Sequence, residues 1–293
     1  MFQQMANKGH YRKEGGTRQG IYVCSPSGEL LSSVNSLSPD VVIEAIQKGL
    51  DKWNKLPKTE RYLPKDFSKI IEHRWEDNYP KDGLILKGAK ADLLTDPPKF
   101  SERGSRWNMD HVWFNNNESK MWLPEKIQKG QIHELPDIIK HRLFRFHLVD
   151  NVRGQTLPFA PQEIKKSALT SEVLNISNTE IDLKISGDSY AVAKGPWLLG
   201  ENDWTPTREL DHSININLIG QATYNINKEL FTEFELVAIG RWIGKTENNG
   251  RNWGPDSGKI GIYYQLGVDS PIDRIAPAFV DLYNADWIKQ PEE

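Results

Sequence analysis

The spacing of apolar positions changes along the chain, and the change divides it. Over 181–185, Ile, Leu and Ile alternate with Asp182 and Lys184, a period of two that gives a strand one apolar face. The alternation recurs at Ile214, Ile216 and Leu218, again at Ala222, Tyr224 and Ile226, and at Phe234, Leu236 and Ala238. Residues 190–193 and 260–266 are further strand-like runs. Gly187-Asp188 and residues 225–229 read as turns, and the run at 222–226 continues after Gly220. Upstream, 83–87 and 112–114 predict short strands, separated by a charged, proline-bearing loop over 95–108. A helix over 136–148 interrupts this series. Pro136 and Asp137 open it, and Ile138, Ile139, Arg142, Leu143 and Phe146 supply its face.

The first sixty residues follow another rhythm. Residues 1–19 are polar and glycine-bearing with no apolar period, which predicts an exposed lead-in. Residues 20–34 predict a hairpin: a β-type run to Cys24, a Ser25-Pro26-Ser27-Gly28 turn, and a return strand to Val34. A helix follows, with Ser38 at its N-cap and Pro39 in its first turn. Val42, Ala45, Ile46, Gly49, Leu50 and Trp53 form one stripe at helical spacing. Pro57, Pro64 and Pro80 punctuate a connector over 57–82, with a short helix near 64–73. The segments are therefore 1–56, a connector over 57–82, and a β-rich domain over 83–293. The fold class is α+β: a hairpin–helix unit, then an antiparallel β barrel or sandwich with an inserted helix.

Composition narrows the function. A chain of 293 residues with 10% aromatics has enough apolar surface for a core. Thirty-seven basic against 40 acidic residues leave a net charge of −3, without the basic stripe of a nucleic-acid binder. The single cysteine, Cys24, excludes an internal disulfide and a CxxC pair. No apolar run approaches the roughly 18 residues of a membrane span. The first residues lack the apolar stretch of a signal peptide, so the cytoplasm is expected if Met1 is the true start.

Candidate chemistry is scattered. Cys24 is a thiol in a predicted strand, where a small buried hydrophobe is the simpler role. Residues 72–77 hold His73 and Asp77, types suited to acid–base catalysis but equally to a charged loop. His111 follows Asp110, and His147, Asp150 and Arg153 recur every three residues. Histidine with carboxylate suits a metal, yet no HxH or HExxH spacing is present. Ten tryptophans are the unusual component. Trp204, Trp242 and Trp253 lie in or beside β-domain loops with Asn249 and Arg251. Flat rings beside amides and charged groups suit a carbohydrate or another small polar ligand, and equally the closing of a core. No cofactor is called for.

Gly20–Cys24, the Pro-Ser-Gly turn, Glu29–Val34 and the helix over 38–53 come in the order that ends a thioredoxin fold. Residues 17–53 resemble that C-terminal part. The whole chain is similar to a group of uncharacterised bacterial proteins that join a thioredoxin-like unit to a β-rich domain. The family places a CxxC or related motif about 50 residues before this hairpin, where only 19 residues stand here. It usually sets a cis-proline before the first hairpin strand, where this chain has Thr17-Arg18-Gln19-Gly20. No catalytic residue carries over. The resemblance implies a thioredoxin-like protein without thiol–disulfide activity of its own. Either the chain begins late, leaving an exposed sheet edge open to association, or the hairpin and helix pack on the β domain. A β module binding a carbohydrate or small polar ligand, and a His/carboxylate metallo-hydrolase, are the alternatives.

Overall fold

The structure is a computed structural model that describes residues 2–14, 18–62, 79–93, 107–154, 156, 158–195, 210–246, 249–251, 255–270 and 273–280. By their contacts the residues fall into two compact units, 1–71 and 72–293.

In the first unit, helices α1 (Phe2–Lys8) and α2 (His10–Glu14) precede β1 (Ile21–Cys24) and β2 (Leu30–Val34), which pair antiparallel. The predicted hairpin is therefore present. Its turn is closed by Gly28 N–H donating to Ser25 O (2.9 Å), and Gly28 takes the positive φ of 83° that a residue without Cβ accepts easily. Helix α3 (Pro39–Lys55) lies on the hairpin through small residues. Ala45 and Gly49 are its buried positions, and a Cβ at Gly49 would stand 2.6 Å from Val23 Cγ1. Ser32 Oγ donates to Ala45 O. A short α4 (Lys58–Arg61) follows.

Three expectations need correction here. The lead-in is helical, not an exposed tail: Ala6, Gly9 and His10 are buried, and His10 N–H donates to Ser33 Oγ (2.8 Å). Contact through small and polar residues has no apolar period, which is why the pattern missed it. Ser38 makes no side-chain cap bond. The apolar stripe of α3 is only partly covered, since Ile46 and Leu50 are 41% and 46% exposed. The predicted helix near 64–73 lies outside the described residues.

The second unit contains one antiparallel sheet of eight strands, not the two layers of a sandwich. The strands are β3 (Leu84–Asp92), β4 (Trp107–Phe114), β5 (Ile132–Glu134), β6 (Ile164–Ile176), β7 (Glu180–Gly195), β8 (Leu210–Asn225), β9 (Leu230–Gly244) and β10 (Ser257–Leu266). Their order is β4-β3-β10-β9-β8-β7-β6-β5. From β5 to β10 each strand pairs with the next in sequence, and β3 then joins the free side of β10. The turn expected at Gly187-Asp188 does not exist, and Gly220 likewise marks no reversal. Both glycines sit inside unbroken 16-residue strands, β7 and β8. A Cβ at Gly187 would meet Ala168 O at 2.5 Å, and one at Gly220 would meet Glu235 O at 2.4 Å. They mark close approach of neighbouring strands, not chain reversal.

Alternation sends one face of this sheet inward. Ile214, Ile216 and Leu218 of β8, Phe234, Leu236 and Ala238 of β9, and Ile260 and Ile262 of β10 are all buried. Against them packs the predicted helix, present as α6 (Asp137–His141) continuing into a π-helical turn over Arg142–His147. It contributes Ile139, Leu143 and Phe144. The wider turn carries Arg142, Phe146 and His147 inward together with Leu143. Arg142 is paired inside the core with Glu118, and also donates to Trp113 O (2.9 Å). Glu118 belongs to the capping box of α5 (Asn116–Lys120), so one carboxylate caps a helix and neutralises a buried guanidinium. On the outer face, Ile85, Trp113 and Val280 form a small separate cluster, and Lys87 pairs with Asp273 at 3.0 Å.

Candidate functional site

The connections β3–β4, β7–β8 and β9–β10 all leave the sheet from one end. There Asp92, Arg153, Arg251 and Asp150 form a continuous charged row. Arg251 Nη2 stands 2.7 Å from Asp92 Oδ1, and Arg251 Nε donates to Asp150 Oδ2 at 2.9 Å. Arg153 Nε reaches the same Asp92 at 2.7 Å. The guanidinium of Arg251 also lies over the Trp242 ring, 4.0 Å from its centroid. Burial would weaken the Arg251 cation, but the two aspartates outweigh it and hold its pKa above the ordinary value. At Asp92 burial is likewise outweighed, by Arg251 and Arg153, and the carboxyl stays below its usual range. At Asp150 burial prevails and pushes the carboxyl up.

Just inside, a second polar group interrupts the core. Lys90 of β3, Asp110 of β4 and Tyr264 of β10 occupy inward positions on three adjacent strands. His147 faces them from the end of the π-helical turn. Asp110 Oδ2 accepts from Tyr264 OH (2.5 Å) and His147 Nδ1 (3.1 Å), and lies 2.8 Å from Lys90 Nζ in an ion pair that is not aligned as a hydrogen bond. Asp110 Oδ1 accepts from His111 N (3.0 Å). Burial alone would raise the Asp110 carboxyl, yet Lys90 and His147 overcome it and hold it well below the carboxylate range. Burial lowers the His147 pKa against the pull of Asp110, so the ring is neutral at pH 7. Because the ionised Asp110 accepts from Nδ1, that nitrogen carries the proton and Nε2 is the basic one. This is the arrangement that orients a general base.

Lys90 links the two groups, because its charge acts on both Asp110 and Asp150. Together they set Lys90, Arg153 and Arg251 against Asp92, Asp110 and Asp150. The formal charges cancel.

The sequence candidates distribute unevenly over this geometry. Trp242, Asn249, Arg251 and Asp150 are brought together: Asn249 Oδ1 accepts from Arg251 N (3.3 Å). Trp242 is 3% exposed, a wall under Arg251 and not an open platform. His147 belongs to the adjoining Asp110 group. His111 follows Asp110 in β4 and so takes the opposite face. Among the described residues no three His, Cys, Asp or Glu side chains converge to hold a metal ion. Cys24 is exposed at the end of β1, correcting the expectation of a buried hydrophobe, because the register shifts between Val23 and Cys24. Partial burial pushes its thiol pKa up. His73, Asp77, Trp204 and Trp253 lie outside the described residues. Sequence reasoning passed over Lys90, Asp92 and Tyr264. The signal for Lys90 is a charge in phase with Leu84 and Leu86, on the apolar side of a strand.

No protein family, curated protein or solved structure matches the chain.

Proposed function

We propose that the chain is a thioredoxin-like protein without thiol–disulfide activity of its own, in which residues 17–53 serve as the hairpin–helix element of that fold. The observation that carries this reading is local. A two-stranded antiparallel hairpin with a tight turn is followed directly by a 17-residue helix lying across it through Ala45 and Gly49. The chemistry agrees: the only cysteine has a raised pKa, and a thiol held protonated is a poor nucleophile. The test is reduction of insulin disulfides with dithiothreitol as donor, alongside the rate of thiol labelling by an aromatic disulfide. The expected result is a reductase rate equal to that of Cys24→Ser, and slow labelling at neutral pH. Turnover that depends on Cys24 sinks the reading.

A second reading rests on charge balance at the loop end of the sheet. Among the described residues of this group three cations are spent on three aspartates, while Trp242, Asn249 and Arg251 are gathered there. We infer that the larger unit binds a neutral hydrogen-bonding ligand, carbohydrate being the class, with Trp204 and Trp253 supplying the stacking rings. Titration with neutral oligosaccharides is expected to shift tryptophan emission saturably, and Trp204→Ala or Trp253→Ala to abolish the shift. A response to charged glycans alone contradicts it.

A further inference from the structure

The outer face of the large sheet carries apolar residues where solvent would favour polar ones. Strand register aligns them in two neighbouring rows. One row runs Ile219, Val237, Tyr263, Ala89, Met109 across β8, β9, β10, β3 and β4. The other runs Asn217, Ile239, Gly261, Ala91, Trp107 on the same strands. Leu93 bends over Gly261, where a Cβ would lie 3.0 Å from it, and fills the dip. The six large side chains of these rows are 37% to 66% exposed. Together they present roughly 600 Å², close to the ~800 Å² per partner of a standard interface and at the upper end of what a monomer ordinarily leaves bare in one patch.

The charges beside the patch identify its occupant. Along the outward positions of β9 the order is Glu233, Glu235, Val237, Ile239, Arg241, and then Ile243 at the strand end. Lys259 of β10 stands beside Arg241 in register. One margin is therefore acidic and the other basic, with the apolar pair midway. If a second copy of β9 is laid antiparallel over the first, Val237 meets Ile239, and Glu235 meets Arg241 at both ends. The patch is complementary to itself, which is what a two-fold interface requires. Sheets pack face to face at about 10 Å with strands nearly aligned, so side chains of this size interdigitate at that spacing.

We propose that the protein forms a two-fold dimer through the outer face of its eight-stranded sheet, with β9 at the axis and Glu235 paired to Arg241 of the second copy. Analytical ultracentrifugation of the full chain at tens of micromolar tests this. The expected species has about twice the 33.6 kDa chain mass. Ile239→Lys is expected to give a monomer with unchanged circular dichroism. Glu235→Arg alone places a second cation against Arg241, and Arg241→Glu alone a second anion against Glu235. Each is expected to weaken dimerisation about tenfold or more, since facing like charges are strongly unfavourable. Glu235→Arg combined with Arg241→Glu restores the pairing, and so the dimer. A wild-type monomer throughout, a dimer indifferent to Ile239→Lys, or a combined variant no tighter than the single ones overturns the proposal.

Discussion

Asp110 concentrates more consequence than any other single side chain. Its carboxylate serves a lysine, a histidine and a tyrosine inside an apolar core, so Asp110→Asn removes the charge and leaves Lys90 buried without its counter-ion. Breaking one partner of a buried pair costs about 3–5 kcal/mol. In a unit of this size that lowers the melting temperature by on the order of 10 °C, readable by calorimetry. Replacing Lys90 by Met in the same background is expected to recover part of the loss. Acid should destabilise the fold through the same group. The folded His147 pKa lies below its ordinary 6.5, so as pH falls through that value the unfolded chain takes the proton first. Stability is full above pH 6.5 and declines below it. His212, also lowered by burial, acts with the same sign. Denaturant midpoints measured from about pH 7.5 to 5 should therefore fall, and His147→Gln should flatten the slope without abolishing it. Asp110 itself, held low, protects until the carboxylate range is reached. Of these residues His147 and Asp150 were visible in the sequence as candidates. The other partners of Asp110 were not: Lys90 reaches it by the pairing of β3 with β4, and Tyr264 by the pairing of β3 with β10, some 170 positions further along the chain.

At the scale of elements, hydrophobic period located the hairpin, α3, the interior helix and most of the strands. It failed where glycine means proximity. Gly187 reads as a turn because the common role of glycine between apolar runs is reversal. Gly187 inside β7 and Gly220 inside β8 instead let a neighbouring strand come close. Gly220→Val is thus expected to push β9 away at Glu235 and Leu236, and to destabilise the sheet far more than a surface glycine change. Amide hydrogen exchange should show lost protection centred on residues 219–221 and 234–236. Equal protection in the variant would mean that the strand gives way at little cost. The π-helical turn was equally hidden. Nothing in the spacing of Arg142 to His147 announces a wider turn, and only the need to turn both Arg142 and His147 toward buried carboxylates makes it intelligible.

For the whole molecule, the contacts within 1–71 and within 72–293 define two units that differ in kind. The smaller is held by a few small-residue contacts and leaves much of the apolar face of α3 uncovered. The larger has a continuous core under an eight-stranded sheet. Two thermal transitions are expected, the first belonging to the smaller unit. Gly49→Leu, which would drive a side chain into Val23, should shift only that transition, and Asp110→Asn only the other. A single transition moved by both variants would show that the units melt as one.

The pairing of β3 with β10 also sets a clock. Strands β6 to β10 can zip in the order they are made, each onto its predecessor. Strand β3 emerges early and waits for the last strand before its edge is closed. At ordinary translation speeds of roughly 5–20 residues per second, that wait is on the order of ten to thirty seconds. For that interval the nascent chain carries an unpaired hairpin edge beside a half-built sheet. Its vulnerability to misassembly therefore belongs to its synthesis more than to its finished form.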